Sequence, residues 1–124
     1  MARLNVKPIA GALGAEIGGI DLRELDDETV AAIRAAWLEH LVVFFRDQPL
    51  APAQYMAFAQ RIGRPIEYPF VKGIAGFPEV IEVKKLEHEK VNFGGVWHSD
   101  TAYLEIPPMA SMVSAIVRTL SSVM

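Results

Sequence analysis

Apolar residues and glycines alternate in the first part of the chain, residues 3–22. Val, Ile and Leu are separated there by glycines at positions 11, 14, 18 and 19. Because glycine readily adopts the positive φ that tight turns need, this pattern predicts short strands joined by turns. Residues 14–19 match neither a dinucleotide-binding fingerprint nor a phosphate-binding loop with its lysine. We therefore do not expect a nucleotide site in this segment.

Helical spacing of apolar residues begins in the next segment, residues 25–41. Asp26 or Asp27 can cap the N-terminus, because a short carboxylate accepts hydrogen bonds from the free N–H groups of the first turn. His40 falls in the last turn, where a cation suits the helix dipole, so we interpret it as a structural residue. The apolar face of this predicted helix carries Val30, Ile33, Trp37 and Leu41.

A second helix is predicted to begin at Pro52, since proline is well suited to the first helical position. Gly63 is the expected C′ residue, and Pro65 prevents the helix from continuing. The face predicted to point inward carries Tyr55, Phe58, Ala59 and Ile62.

Three further segments have the patterns of β-strands. Residues 41–45 form a continuous apolar run typical of a buried strand. Residues 79–85 alternate apolar and charged side chains, which predicts a strand with one buried face. The last apolar stretch, residues 109–117, also predicts a strand, and the polar residues 86–96 predict a connecting loop. Helices and strands together predict an α+β protein.

Composition narrows the classes of function. The 124 residues suffice for one domain, and 52% of them are apolar, enough for a core. The formal charge of −3 lacks the excess of Lys and Arg that nucleic-acid binding requires. The absence of Cys excludes disulfides, thiolate metal sites and cysteine nucleophiles. With no targeting segment and no apolar run of bilayer length, we expect a cytoplasmic protein with neither nucleic-acid nor membrane partners.

The candidate chemistry lies at His98, Ser99 and Asp100. In an extended backbone, His98 and Asp100 project from one face and Ser99 from the other. An imidazole and a carboxylate can supply two of the three protein ligands of the 2-His-1-carboxylate Fe(II) site. The same geometry disfavours a Ser-His-Asp hydrolase. From spacing alone, a hydrogen-bonded structural histidine remains the competing interpretation.

Sequence blocks in several parts of the chain carry a more specific signal. GALGAEIGGIDL occupies residues 11–22, and DDETVAAIRAAWLEH occupies residues 26–40. Shorter blocks follow at residues 43–48 and 58–63, and NFGGVWHSDT occupies residues 92–101. In this order they resemble the taurine dioxygenase family of Fe(II)- and 2-oxoglutarate-dependent dioxygenases, and WHSDT is the most specific block. The likeness covers residues 4–112, whereas about residues 113–124 do not resemble the family.

This resemblance implies a double-stranded β-helix, or jelly roll, with flanking helices, of which the chain would contain the N-terminal part. It implies Fe(II), with 2-oxoglutarate as co-substrate and His98 and Asp100 as the first two iron ligands. The implied reaction is hydroxylation of a small organic acid of the sulfonate, sulfate ester or aryloxy-acid type. The second His ligand and the Arg that binds 2-oxoglutarate are implied beyond residue 124. We therefore expect this chain to carry no catalytic residue and to be inactive alone.

The resemblance also suggests substrate-binding residues. Tyr68 stands about where taurine-specific members carry a sulfonate-contacting His, and its hydroxyl can donate a hydrogen bond. Asn92 and Phe93 lie in a segment that forms part of a mobile cover in the family, although an ordinary loop is the competing interpretation. We interpret Trp97 as a core residue that fixes His98, and Tyr103 as a packing residue.

Substitutes for the implied downstream residues are less favoured. His88 could in principle be a third metal ligand, but it lies in a run of charged residues that we expect to be solvated. Arg118 could in principle replace the arginine that binds 2-oxoglutarate, and we disfavour that role equally. Two alternatives to an enzyme portion remain: a non-catalytic remnant that binds or oligomerises, and a small α+β domain with a chance His-Ser-Asp. A partial jelly roll leaves strand edges and apolar faces uncovered, which favours a homo-oligomer.

Overall fold

The computed structural model describes residues 4–116 and divides into two compact units, Met1–Pro65 and Ile66–Met124. Arg118, the end of the strand predicted over 109–117 and most of the unrelated tail predicted over 113–124 lie outside the described residues. The first three residues lie outside them as well.

The first unit contains a three-stranded sheet with strand order β1-β2-β3. Its strands are β1 (Asn5–Pro8), β2 (Ala15–Gly18) and β3 (Val43–Phe44). Strands β1 and β2 pair antiparallel, and β2 and β3 pair parallel. Gly14 enters β2 with a φ of 99° and donates its N–H to the His40 carbonyl at 2.8 Å. The predicted short strands joined by a glycine turn are therefore confirmed.

Helix α1 covers Asp27–His40, as the apolar spacing predicted. Asp26 is the N-cap, and its side chain accepts a hydrogen bond from the Thr29 N–H at 2.7 Å. The prediction of the apolar face was wrong at its last residue. Leu41 lies beyond the end of the helix with a φ of 67°, and its surface is 63% exposed. The residues that α1 buries are Thr29, Ile33 and Ala36.

Helix α2 covers Pro52–Ile62, with Pro52 at its start as predicted. Gly63 ends the helix and donates its N–H to the Ala59 carbonyl at 2.9 Å. Its φ of −167° is extended, so the left-handed conformation expected of a C′ glycine is not formed. The buried residues are Met56 and Phe58, whereas Ala59 and Ile62 are only half-buried. The predicted inner face therefore missed Met56.

The core of the first unit lies between its sheet and its helices. Phe45 and Phe58 meet edge to face with ring centroids 5.8 Å apart, a favourable aromatic geometry. On the surface of the same unit, Arg61 pairs with Asp27 at 2.6 Å and joins α2 to the start of α1. The buried core cluster consists of Ile17, Leu22, Ile33, Ala36 and Phe58.

The region after β3 is fixed by Gln48, the last residue of one block that resembles the dioxygenase family. Its side-chain oxygen accepts from the Leu22 N–H at 2.9 Å, and its amide nitrogen donates to the Ile20 carbonyl at 3.1 Å. The strand predicted over 41–45 is shorter than expected, since β3 has two residues and Phe44 is 46% exposed.

The second unit has turns and irregular backbone through residue 116, with one isolated bridge between Ile74 and Phe77. The strand predicted over 79–85 was wrong, as was the strand over 109–117 as far as it is described. A strand requires a ladder of hydrogen bonds with a neighbouring strand, and neither segment is paired in a sheet within residues 4–116. The Val80 N–H instead donates to the Phe77 carbonyl at 3.0 Å, as part of a local turn. The loop over 86–96 is confirmed, and jelly-roll closure is not seen between residues 4 and 116. No helix in that range is long and apolar enough to cross a bilayer.

Candidate metal centre

Two turns flank the segment that carries His98 and Asp100. Before it, the Gly95 N–H donates to the Asn92 carbonyl at 3.1 Å, and Gly94 has a φ of 68°. After it, Thr101 has a φ of 49°, and its carbonyl accepts from the Leu104 N–H at 3.1 Å. Residues 98–100 are not part of a hydrogen-bonded strand.

The turns nevertheless bring the two predicted ligand side chains together. His98 Nε2 lies 3.2 Å from Asp100 Oδ1, and His98 Nδ1 lies 2.6 Å from the Val96 carbonyl oxygen. A carbonyl oxygen only accepts, so Nδ1 must carry a proton. A neutral imidazole has just one N–H, and its Nε2 lone pair then faces the carboxylate. In this tautomer the Nε2 lone pair and the carboxylate oxygen can both face a bound metal ion.

A third side chain holds the other oxygen of the carboxylate. Ser111 Oγ donates a hydrogen bond to Asp100 Oδ2 at 3.0 Å. Asp100 thus accepts from Ser111 with one oxygen and presents the other, Oδ1, to His98. Nothing in the spacing of the sequence indicated this contact, since Ser111 is one of several serines in an apolar stretch eleven residues further on.

The donor pair fits a divalent transition metal. Two ligands bound at about 2.1 Å and at right angles lie roughly 3 Å apart, close to the observed separation. Imidazole nitrogen with carboxylate oxygen suits Fe(II), and the side chains are 48% and 59% exposed, which leaves access for an ion. From residue 4 to residue 116, no group of three or more His, Cys, Asp or Glu side chains could hold a metal ion. His88 therefore does not complete the pair.

The predicted role of Trp97 was wrong. Its residue surface is 104% exposed, so it is not a core residue that holds His98 in place. The neighbouring Val96 is also exposed, at 78%. Packing against a side chain requires a second layer of structure, and the described part of this unit places none over Trp97. The His98 imidazole is held instead by its hydrogen bond to the Val96 carbonyl.

Tyr68 belongs to an aromatic cluster with Phe70 and Tyr103. The Tyr68 and Phe70 rings meet edge to face at 5.7 Å, and the Phe70 and Tyr103 rings lie 6.0 Å apart. A hydrogen bond with the Tyr68 side chain raises the pKa of Tyr103 above its usual value. Tyr103 packs as expected, and the ring contacts place Tyr68 in the same cluster. The role of Tyr68 in binding substrate remains a prediction.

Asn92 and Phe93 lie in the loop that leads to the metal pair. Lys85 Nζ donates to Asn92 Oδ1 at 2.6 Å, so the side-chain oxygen is occupied and the NH₂ group is the one oriented for other acceptors. The Phe93 residue surface is 73% exposed. The family resemblance singled out Asn92 and Phe93, but no sequence pattern indicated Lys85 as the partner of Asn92.

Gly94 is a further residue whose importance emerges only in three dimensions. A Cβ atom at this position would lie 3.1 Å from His98 Cε1 and 3.6 Å from His98 Nε2. The shorter contact is tighter than ordinary van der Waals packing, so the absence of a side chain gives the imidazole its place. The pair of glycines just before the WHSDT block was the available sequence signal.

Comparison with known proteins matches residues 5–120 to the family described as "Taurine catabolism dioxygenase TauD, TfdA family". A sulfate ester dioxygenase of Pseudomonas putida, described as alpha-ketoglutarate-dependent, is 36% identical over 120 residues, which are 95% of this chain and 39% of the relative. The (S)-phenoxypropionate/alpha-ketoglutarate-dioxygenase of Sphingobium herbicidovorans is 31% identical over 115 residues, 90% of this chain and 40% of the relative.

A solved taurine dioxygenase structure from Burkholderia xenovorans is similar to the described fold. Its TM-score is 0.57 at 42% sequence identity, over 60% of this chain and 28% of that one. The chain spans about two fifths of the length of the curated relatives it matches. These matches favour the interpretation that the chain is related to oxidoreductases. They do not support the two alternative interpretations, a non-catalytic binding module and a small domain in which His-Ser-Asp occurs by chance.

Proposed function

This chain belongs to the TauD, TfdA family of dioxygenases, and we propose that it forms part of an Fe(II)- and 2-oxoglutarate-dependent enzyme that oxidises a small organic acid. The observation that carries this proposal is the approach of His98 Nε2 to Asp100 Oδ1 at 3.2 Å within the WHSDT block. The substrate class we propose is a sulfonate, a sulfate ester or an aryloxy acid, in line with the names of the relatives.

In this proposal His98 binds the metal through Nε2, and Asp100 binds it through Oδ1. The Val96 carbonyl keeps the proton on Nδ1, so that the Nε2 lone pair is available to the ion. When bound, iron with 2-oxoglutarate and oxygen supplies the oxidising chemistry. The described residues offer two protein ligands, and we place the third ligand and the group that holds 2-oxoglutarate outside them.

We assign binding of the substrate's acid group to polar side chains in and near the loop that is predicted to cover the site. The Tyr68 hydroxyl and the Asn92 side-chain NH₂ are hydrogen-bond donors suited to acid oxygens. The bond from Lys85 to Asn92 Oδ1 at 2.6 Å supports this orientation of the amide. Phe93, which is largely exposed, provides an apolar surface for the organic part of the substrate.

Anaerobic titration of the full chain with Fe(II) tests the proposal. We expect His98→Ala and Asp100→Ala each to weaken binding by at least about tenfold, because each removes one of two protein ligands. His88→Ala is the matched control, since His88 is another exposed histidine ten residues away. Addition of 2-oxoglutarate to the iron-loaded chain should give a visible metal-to-ligand charge-transfer band. Equal Fe(II) affinity in the wild type and all three variants would contradict the proposal.

A further inference from the structure

We propose that Ser111 is a positioning residue for Asp100, which it holds in the orientation that allows metal binding. The inference rests on the proposed function, since it concerns the metal pair of His98 and Asp100. Ser111 does not contribute a metal ligand. Its role is to occupy one oxygen of the carboxylate so that the other faces His98.

The geometry gives each oxygen of Asp100 a separate task. Ser111 Oγ donates to Oδ2 at 3.0 Å, and Oδ1 lies 3.2 Å from His98 Nε2. A carboxylate rotates broadly about its last side-chain torsion, and the Asp100 side chain is 59% exposed, so packing does not fix that torsion. The hydrogen bond from Ser111 is therefore the contact that sets the plane of the carboxylate.

A matching hydrogen bond orients the other half of the pair. His98 Nδ1 donates to the Val96 carbonyl at 2.6 Å, which fixes both the tautomer and the direction of the ring. Each of the two predicted ligands thus has one orienting partner on the side away from the other ligand. Ser111 also ties the segment after Pro107 and Pro108 to the turn that carries the ligands.

Orienting partners of metal ligands typically contribute 10- to 100-fold to metal affinity. Because the hydrogen bond from Ser111 is exposed, we expect an effect near the lower limit, about tenfold. Ser111→Thr keeps a hydroxyl on the β-carbon and should restore most of the affinity. Ser114→Ala is the matched control, because Ser114 is an exposed serine three residues further along the same segment.

The test uses the full chain in two measurements. The first is anaerobic calorimetric titration with Mn(II), a redox-stable probe for an iron site. Ser111→Ala should weaken Mn(II) binding about tenfold, whereas Ser111→Thr and Ser114→Ala should stay within about threefold of the wild type. The second is NMR of the metal-free chain, which records the ring ¹⁵N shifts of His98 and the carboxyl ¹³C shift of Asp100. These shifts should move in Ser111→Ala and stay unchanged in Ser114→Ala.

The two measurements separate failure of the inference from failure of the proposed function. Wild-type and Ser111→Ala chains that bind Mn(II) equally well would overturn the positioning role. Unchanged Asp100 and His98 shifts in metal-free Ser111→Ala would overturn it as well. A wild-type chain that does not bind Mn(II) would count against the metal site itself, and the shifts would still decide whether Ser111 orients Asp100.

Discussion

Gly94 shows how a single residue can control the candidate metal centre without offering a ligand. Its φ of 68° is one that side chains rarely adopt, and its α-carbon faces the imidazole of His98. Thr101, on the other side of the pair, has a positive φ of 49° although it is β-branched. Backbone strain of this kind is common at functional sites, where the surrounding structure holds it in place. The ligand segment is therefore bounded by two residues with a positive φ, which glycine adopts readily and a β-branched residue such as Thr101 does not.

Substitution of Gly94 should weaken metal binding through the imidazole. In Gly94→Ala the new methyl group would lie 3.1 Å from His98 Cε1, so the ring must move away and Nε2 with it. We expect Mn(II) affinity to fall by about tenfold, as for other losses of ligand orientation. The measurement is calorimetric titration of the full chain.

Gly76→Ala is the control that separates contact from backbone strain. Gly76 also has a positive φ, 81°, but a Cβ there would have no atom within 4 Å. It should therefore carry a similar conformational cost and leave Mn(II) affinity unchanged. An equal loss of affinity in both variants would show that strain in the unit, and not contact with His98, limits binding.

Helix α1 shows at the level of an element how one side chain determines where structure begins. Asp26 accepts from the Thr29 N–H at 2.7 Å, and hydrogen bonds from the Thr29 side chain and backbone lower the pKa of Asp26. A lowered pKa in the folded state means that the charged cap stabilises the fold above the unfolded pKa of about 4. That contribution is lost as the pH falls through the folded value.

This linkage predicts a pH-dependent effect of Asp26→Ala on thermal unfolding. At pH 7 the variant should have a midpoint a few degrees below the wild type, because the first turn loses its cap. The gap should shrink below about pH 4 as the wild-type carboxylate is protonated. Circular dichroism at 222 nm follows the transition.

The matched control for this prediction is Asp26→Asn, because it keeps a capping oxygen and removes the titratable charge. Its midpoint should lie between those of the wild type and Asp26→Ala at pH 7, and it should lose the Asp26 contribution to the pH dependence. A difference between the wild type and Asp26→Ala that stays constant from pH 3 to pH 7 would contradict the proposed linkage.

The elements that could be predicted from the sequence are those with local determinants. Asp26 and Pro52 act within one turn of the helices they begin, and both helix starts are confirmed. Residues 79–85 have the right alternation for a strand, but a strand needs a partner that no local pattern supplies. The residues of the candidate site differ in the same way in how far they could be predicted. The WHSDT block marks His98 and Asp100, whereas the contact between Asp100 and Ser111 spans eleven residues and has no local signal.

At the scale of the whole molecule, buried residues are unevenly distributed along the chain. All buried residues that the structure describes lie between positions 14 and 58, in the first unit. The second unit exposes large apolar side chains, which would be covered in an interface or by further structure. Examples are Phe70, Val91, Phe93, Val96, Trp97, Ile106, Val113 and Ile116. The candidate metal centre is therefore in the part of the chain with the least packing of its own.

This distribution predicts a steep contrast in amide hydrogen exchange within the full chain. Amides inside α1 and α2 should be strongly protected, because their hydrogen bonds break only when the core around Ile33 and Phe58 opens. Amides of residues 81–85 should exchange rapidly, since these residues lie outside any helix or strand and are mostly exposed. Mass spectrometry of peptides from a single labelling reaction gives both values, with the helices as internal reference.

The same measurement at several protein concentrations tests the expected self-association. Residues 79–85 keep the alternation of a strand, and pairing of their backbone with a second copy would give this segment the ladder of hydrogen bonds that it does not form within residues 4–116. Protection of these residues should then rise with concentration while that of α1 and α2 stays constant. Protection equal to that of α1 at the lowest concentration would instead mean that the strand forms within one chain. Rapid exchange at every concentration would exclude this segment as the surface through which copies associate.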